Sequence, residues 1–154
     1  FGLCLPLVDA QTVHYLGQGP FENYADKQAA SYRAQFSLDA GDFYEPYIKP
    51  QENGNRSQVA WLEVVQAPVL WQVQDQTPES SGLNFSLSPY SAHTLSQTSH
   101  RDQLPEPSGY YLNLDLAQSG LGTNSCGPAL PDAYRIIGPN LSCRWTMAWR
   151  PLDN

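Results

Sequence analysis

The feature that most narrows the fold is a short alternation of apolar and polar residues that recurs along the chain. It runs over Thr12 to Leu16, Tyr32 to Phe36, Gln58 to Val65, Leu70 to Val73, Leu83 to Leu87, Tyr110 to Leu116 and Arg144 to Trp149. A period of two sends successive side chains to opposite faces of an extended backbone, and each run has the length of a half-buried strand. Between the runs stand Gly17-Gln18-Gly19-Pro20, Asp39-Ala40-Gly41-Asp42, Glu52-Asn53-Gly54-Asn55, Pro78 to Gly82, Pro105 to Gly109 and Gly138-Pro139-Asn140. These residues favour turns because they supply positive φ, a fixed φ or a side-chain bond to the local backbone. Many strands at this spacing predict an all-β fold, an antiparallel sandwich or barrel. One segment departs from the pattern: Ser88-Pro89-Tyr90-Ser91 ahead of Ala92 to Gln97 sets a capping serine before helix-tolerant residues and predicts one short helix. Gly120 to Pro128 is too rich in glycine and polar residues for a strand interior. It directly follows a strong strand and reads as an ordered surface loop, where binding groups are often placed.

The length of 154 residues suits one domain, 1–154, and no shift in composition or internal repeat marks a second. Phe1-Gly2-Leu3-Cys4-Leu5 also reads as a strand, and the chain starts inside it without an initiator Met, so a fragment of a longer protein is expected. Charged residues make up only 15% with a net charge of -7, so Gln, Asn, Ser and Thr must build much of the polar surface. The few cations, among them Lys27, Arg33, Lys49, Arg56, Arg101, Arg135 and Arg144, form no stripe that would neutralise consecutive phosphates, which argues against a nucleic-acid partner. No apolar run approaches the roughly 20 residues of a membrane-spanning helix. Cys4, Cys126 and Cys143 are few, odd in number and widely spaced, which suits a reducing, cytoplasmic compartment better than a disulfide scaffold or thiolate metal site. Asn-x-Ser triplets at Asn55, Asn84 and Asn140 are read as chance in a chain this rich in Asn and Ser.

Two carboxylic acids flanking a scissile bond are the mark of a glycosidase, and Glu22, Asp26, Glu45 and Glu52 are the candidates. The competing reading, which we favour, has them accepting backbone N–H groups in turns or pairing with Arg56 and Lys27. His14, His93 and His100 lack ligand spacing and are assigned structural hydrogen bonds. Trp61, Trp71, Trp145 and Trp149 sit in strand-like alternation and are expected in the core, although flat aromatic faces also serve sugar recognition.

Four segments go further. Tyr15-Leu16-Gly17-Gln18-Gly19-Pro20-Phe21-Glu22-Asn23-Tyr24-Ala25-Asp26-Lys27 resembles the Trp/Tyr-x-Gly-x-Gly-Pro-x-Glu-Asn-Tyr-x-Asp-Arg signature near the C-terminus of LacZ-type β-galactosidases, glycoside hydrolase family 2. In the same order follow Tyr47 to Arg56, then Phe85 to Tyr90 with Ser99-His100, and finally Leu112 to Asp115 with Gly120 to Pro128. The resemblance implies about the C-terminal half of a large antiparallel, galactose-mutarotase-like β-sandwich that terminates an enzyme of roughly a thousand residues. It also implies that the catalytic glutamates, with Mg²⁺, belong to a separate (β/α)₈ barrel of a homo-oligomeric parent that acts on β-galactosides and also uses Na⁺. The terminal domain then lends a loop to the pocket rim. That loop matches Gly120 to Pro128, which makes Cys126, with Asn124 and Ser125, the implied substrate contacts, while turn formation competes for the latter two. Cys126 stands where several members carry a stacking Trp, and a thiol offers only a small apolar contact. Lys27 replaces the commoner Arg, which removes the fork needed for bidentate pairing. Two other roles stay open: the small subunit of a two-chain β-galactosidase, and an independent carbohydrate-binding module.

Overall fold

The computed structural model describes residues 2–78, 80–121, 129–136 and 142–152. They form nine strands: β1 (Gly2–Leu7), β2 (Thr12–Gly19), β3 (Tyr32–Asp39), β4 (Arg56–Val59), β5 (Trp61–Gln66), β6 (Val69–Asp75), β7 (Leu83–Ser88), β8 (Tyr110–Asp115) and β9 (Trp145–Pro151). One sheet has the order β1-β8-β7-β4 and the other β3-β2-β5-β6-β9, and every pairing is antiparallel. The fold is therefore the expected all-β sandwich. The expected helix, α1 (Ala92–Gln97), is also present, with the Ser91 hydroxyl accepting from the Thr94 N–H at its start. Among the described residues no helix is long and apolar enough to cross a membrane.

The core lies between the sheets. Val13 and Tyr15 of β2, with Leu62 and Val64 of β5, meet Phe85 and Leu87 of β7 and Leu112 and Leu114 of β8. Each such side chain contributes about 1.5–3 kcal/mol when fully buried. Tyr15 is the aromatic centre, with ring centroids 5.2 Å from both Phe36 and Phe85 and 6.1 Å from Phe43. On the far face of β7 and β8, Ser86, Ser88 and Asn113 line a cleft of about 330 Å³ beneath α1.

Three expectations are corrected. First, Gln58 to Val65 is not one strand: β4 pairs in the four-stranded sheet and β5 in the five-stranded one. The backbone turns the corner at Gln58, whose φ is 54°, and the Ala60 N–H donates to the Leu16 carbonyl at 2.8 Å. Val59 and Leu62 both enter the core as a result, whereas unbroken alternation would have buried Trp61 with Val59. Second, Gly17 to Gly19 continue β2 instead of turning, because a Cβ on Gly17 would stand 3.1 Å from the Val59 Cα and 2.6 Å from its Cγ2. Gly17 serves close approach between the sheets, and Gly19 makes room for the Tyr15 and Phe36 rings. Third, no tryptophan is fully buried: Trp71 and Trp145 pack against the core from its margin, Trp61 is half-buried, and Trp149 on edge strand β9 is 65% exposed.

Candidate functional site

After β2 the chain enters a polar segment that no alternation governs. The Tyr24 and Lys27 backbones exchange hydrogen bonds of 3.1 and 2.9 Å and close a tight turn around Ala25 and Asp26. Tyr24 is fully buried, and burial, with the negative charge of Glu22 next, pushes its hydroxyl far above the ordinary range. Asn23 is fully buried and ties three segments together. Its amide donates to the carbonyls of Gln18 at 3.1 Å and Phe21 at 3.0 Å, and its oxygen accepts from the Ser57 N–H at 3.0 Å and from the Ser57 hydroxyl. Asn55 completes the lattice: its amide donates to the Asn23 carbonyl at 2.7 Å, and its carbonyl accepts the Asn23 N–H at 2.8 Å.

Glu22 is the hub. One carboxylate oxygen accepts from the Lys27 ammonium and the Tyr47 hydroxyl, and the other accepts from the Gly54 N–H at 2.8 Å. Gly54 has φ 75°, and a Cβ there would stand 2.0 Å from the Phe43 carbonyl oxygen, so the amide reaches Glu22 only from a glycine. Burial opposes the charge on Glu22. The hydrogen bonds from Lys27, Tyr47 and Gly54, with the charge of Lys27, outweigh it and hold the carboxyl below its ordinary value of 4.5. Burial likewise opposes the charge on Lys27, but its bonds to Glu22 and Tyr47 prevail and raise it above 10.5. The turn-and-pairing reading of these carboxylates therefore holds for Glu22. Arg56 departs from it: only 1% exposed, it donates to the carbonyls of Gly54 at 2.9 Å and Asn55 at 3.4 Å. Its guanidinium carbon sits 4.9 Å from the centre of the Phe43 ring, a cation–π contact in the core.

Beside this hub opens a cleft of about 580 Å³ whose lining includes Phe21, Glu22, Asp26, Lys27, Glu45 and Tyr134. It gathers three of the four candidate carboxylates. A glycosidase acid needs a raised pKa, and Glu22 is driven the other way. Asp26 accepts the backbone N–H of Leu121 at 3.0 Å. Glu52 lies elsewhere, lining the cleft beneath α1; burial and then the charge of Asp115 raise its carboxyl above 4.5, while Gln118 donates to it. Of the histidines, His93 is exposed on α1, His14 is half-buried on β2, and His100 is paired with Asp102 at 3.0 Å. Asn55 is buried with its amide in use, which leaves it no room for a glycan. Among the described residues no three His, Cys, Asp or Glu side chains converge as metal ligands.

The segments that carry this network, 17–27 and 47–57, fall within a longer match: the family model described as beta galactosidase small chain covers residues 1–147. The chain belongs to this β-galactosidase family. It is 38% identical over 138 residues to the beta-galactosidase of Staphylococcus xylosus, an overlap of 88% of this chain and 13% of that protein. It is 36% identical over 137 residues to the beta-galactosidase of Oenococcus oeni, covering 88% and 13% of the two chains. With the beta-galactosidase of Actinobacillus pleuropneumoniae it shares 33% identity over 148 residues, or 96% and 14%. The chain thus spans 13–14% of the length of these curated relatives.

In this β-galactosidase family member, the implied substrate contacts Asn124, Ser125 and Cys126 lie outside the described residues. The approach to them is described. Gln118, Ser119, Gly120 and Leu121 bond to three other parts of the molecule, and Asp26 of the Glu-Asn-Tyr segment is one of those partners. Sequence reasoning singled out both segments and missed that they touch.

Proposed function

We propose that this chain is the C-terminal part of an enzyme that hydrolyses terminal β-galactosides with retention, and that it is noncatalytic by itself. Two glutamates outside the chain act as acid/base and nucleophile, about 5–5.5 Å apart as retention requires. This domain completes the wall of the pocket with the loop 120–128, where Cys126, with Asn124 and Ser125, faces the leaving sugar. The Mg²⁺ implied for the enzyme belongs to its barrel, and Na⁺ is implied for the enzyme as a whole.

The observation that carries the reading is the family match over residues 1–147, which runs through both the Glu22 network and the approach to the loop. The lowered carboxyl of Glu22, held by three donors, supports a scaffolding role for that network over a proton-transferring one. A chromogenic β-galactoside tests it: the complete protein should turn it over and release the β-anomer first, and the chain alone should be inert. Robust turnover by the purified chain, or α-anomer as the first product, overturns the reading.

A second arrangement is favoured by the family's own description as a small chain. In it the domain is a separate subunit that restores activity to a large chain lacking this region. Mixing the two polypeptides decides between them, because recovery of activity requires a subunit able to dock from solution. Retention of lactose by the chain alone would point instead to an independent binding module.

A further inference from the structure

Four consecutive residues at the end of the described segment 80–121 are tied to three other parts of the protein. Gln118 donates to the Glu52 carboxylate, and the Ser119 hydroxyl accepts the Ile136 N–H at 3.3 Å. The Gly120 N–H donates to the Tyr134 carbonyl at 2.8 Å, and the Leu121 N–H donates to Asp26 at 3.0 Å. The last of these bonds joins residues 95 apart in sequence, so Asp26 links its own turn to the far end of the chain. It is also the bond with an ionised acceptor on a backbone donor, a stronger type than a neutral pair. The packing beneath it is specific. A Cβ on Gly120 would meet Asp26 at 2.6 Å from Cγ and 2.7 and 2.8 Å from its two oxygens, so the carboxylate lies close against the Gly120 backbone. Asp26 is itself held in place by the Tyr24–Lys27 turn, which the Glu22–Lys27 pair anchors to Gly54 and Tyr47.

From this geometry we infer that Asp26 is a positioning residue: it fixes the backbone at Gly120 and Leu121, and through it sets aglycone preference in the complete enzyme. The second half rests on the proposed role of the loop in contacting the leaving group. Lys27 and Glu22 then act one step further back, by fixing the turn that carries Asp26. The arrangement gives the signature segment a task in this chain, which is to set the direction in which the backbone leaves Leu121.

The test uses the complete β-galactosidase that contains this chain, with Asp26→Ala, Asp26→Asn and Cys126→Ala made separately. Amide exchange is followed for the peptide covering Ser119 to Leu121, and KM and kcat are measured for β-galactosides that share the galactosyl group and differ in aglycone. Asp26→Ala should speed exchange at Leu121 by about tenfold or more, the worth of one net hydrogen bond to a charged group. KM for a glucose aglycone should rise by a similar factor, with kcat for a small, good leaving group unchanged. Asp26→Asn keeps an acceptor oxygen and should restore most of both. Gly120→Ala, which drives a methyl into the carboxylate, should be relieved by adding Asp26→Ala. Unchanged exchange in Asp26→Ala overturns the inference outright. So does a shift in aglycone preference from Cys126→Ala that Asp26→Ala fails to reproduce. Faster exchange with no change in preference from either variant overturns the substrate role of the loop, and the link from Asp26 to aglycone with it.

Discussion

Two regions of the five-stranded sheet, the end of β2 and the β6–β9 edge, are built on different physics. Where β2 runs out toward Glu22, buried polar side chains reach across the sequence: Asn23 to Ser57, Asn55 to Asn23, Glu22 to Gly54 and Tyr47. At the β6–β9 edge the chain is held by ladder bonds, from Val69 opposite Pro151 to Asp75 opposite Trp145, with Trp149 and Met147 turned to solvent. A ladder tolerates side-chain exchange, because its donors and acceptors are backbone atoms. A side-chain lattice does not, since each missing atom strands a buried partner. The first region therefore depends on particular residues, and the second depends on extended conformation and length.

That contrast breaks most readily at Asn23. Asn23→Ala removes every bond its amide makes and leaves the buried Ser57 N–H without its acceptor; we expect a loss of about 3 kcal/mol in urea-unfolding free energy. A loss below about 1 kcal/mol would mean that the lattice is decoration on a fold held elsewhere. Glu22→Gln comes next, at about 1–3 kcal/mol, because a neutral amide cannot serve three donors as a carboxylate does. This effect carries a pH signature. The folded-state pKa of Glu22 lies below its unfolded value of 4.5, so its contribution is complete above 4.5 and is lost as the pH falls through the folded value. The difference between wild type and Glu22→Gln should shrink along that path, and a difference that stays constant would assign the effect to shape. In the other region, Trp149→Thr should change stability by no more than about 0.5 kcal/mol, as expected of an exposed edge position. A larger drop in the thermal midpoint would show that the ladder edge is not indifferent to its side chains.

The strands were legible because their period of two is a local property of the chain, and α1 because Ser91 stands one residue before it. What stayed hidden arises from contacts between distant residues. Gly17 has the composition of a turn and the task of letting Val59 approach. Arg56 reads as a partner for a carboxylate and lies in the core over Phe43. Trp61 was misplaced because the corner at Gln58 is not written in hydropathy. For the site, the resemblance located both segments, yet no local pattern signals a bond between Asp26 and a backbone amide 95 residues on.

The corner at Gln58 to Ala60 has one more consequence. It sets the reading frame of the core: Val59 is buried ahead of it, and Leu62 and Val64 after it. Deleting one residue there would exchange the faces of everything paired through β5, sending Trp61, Glu63 and Val65 inward and Leu62 and Val64 out. A deletion of equal size in the exposed stretch Pro105–Ser108 displaces no strand from its face. Tolerance to length change in this domain is thus a matter of phase, and the three residues at the corner are where that phase is kept.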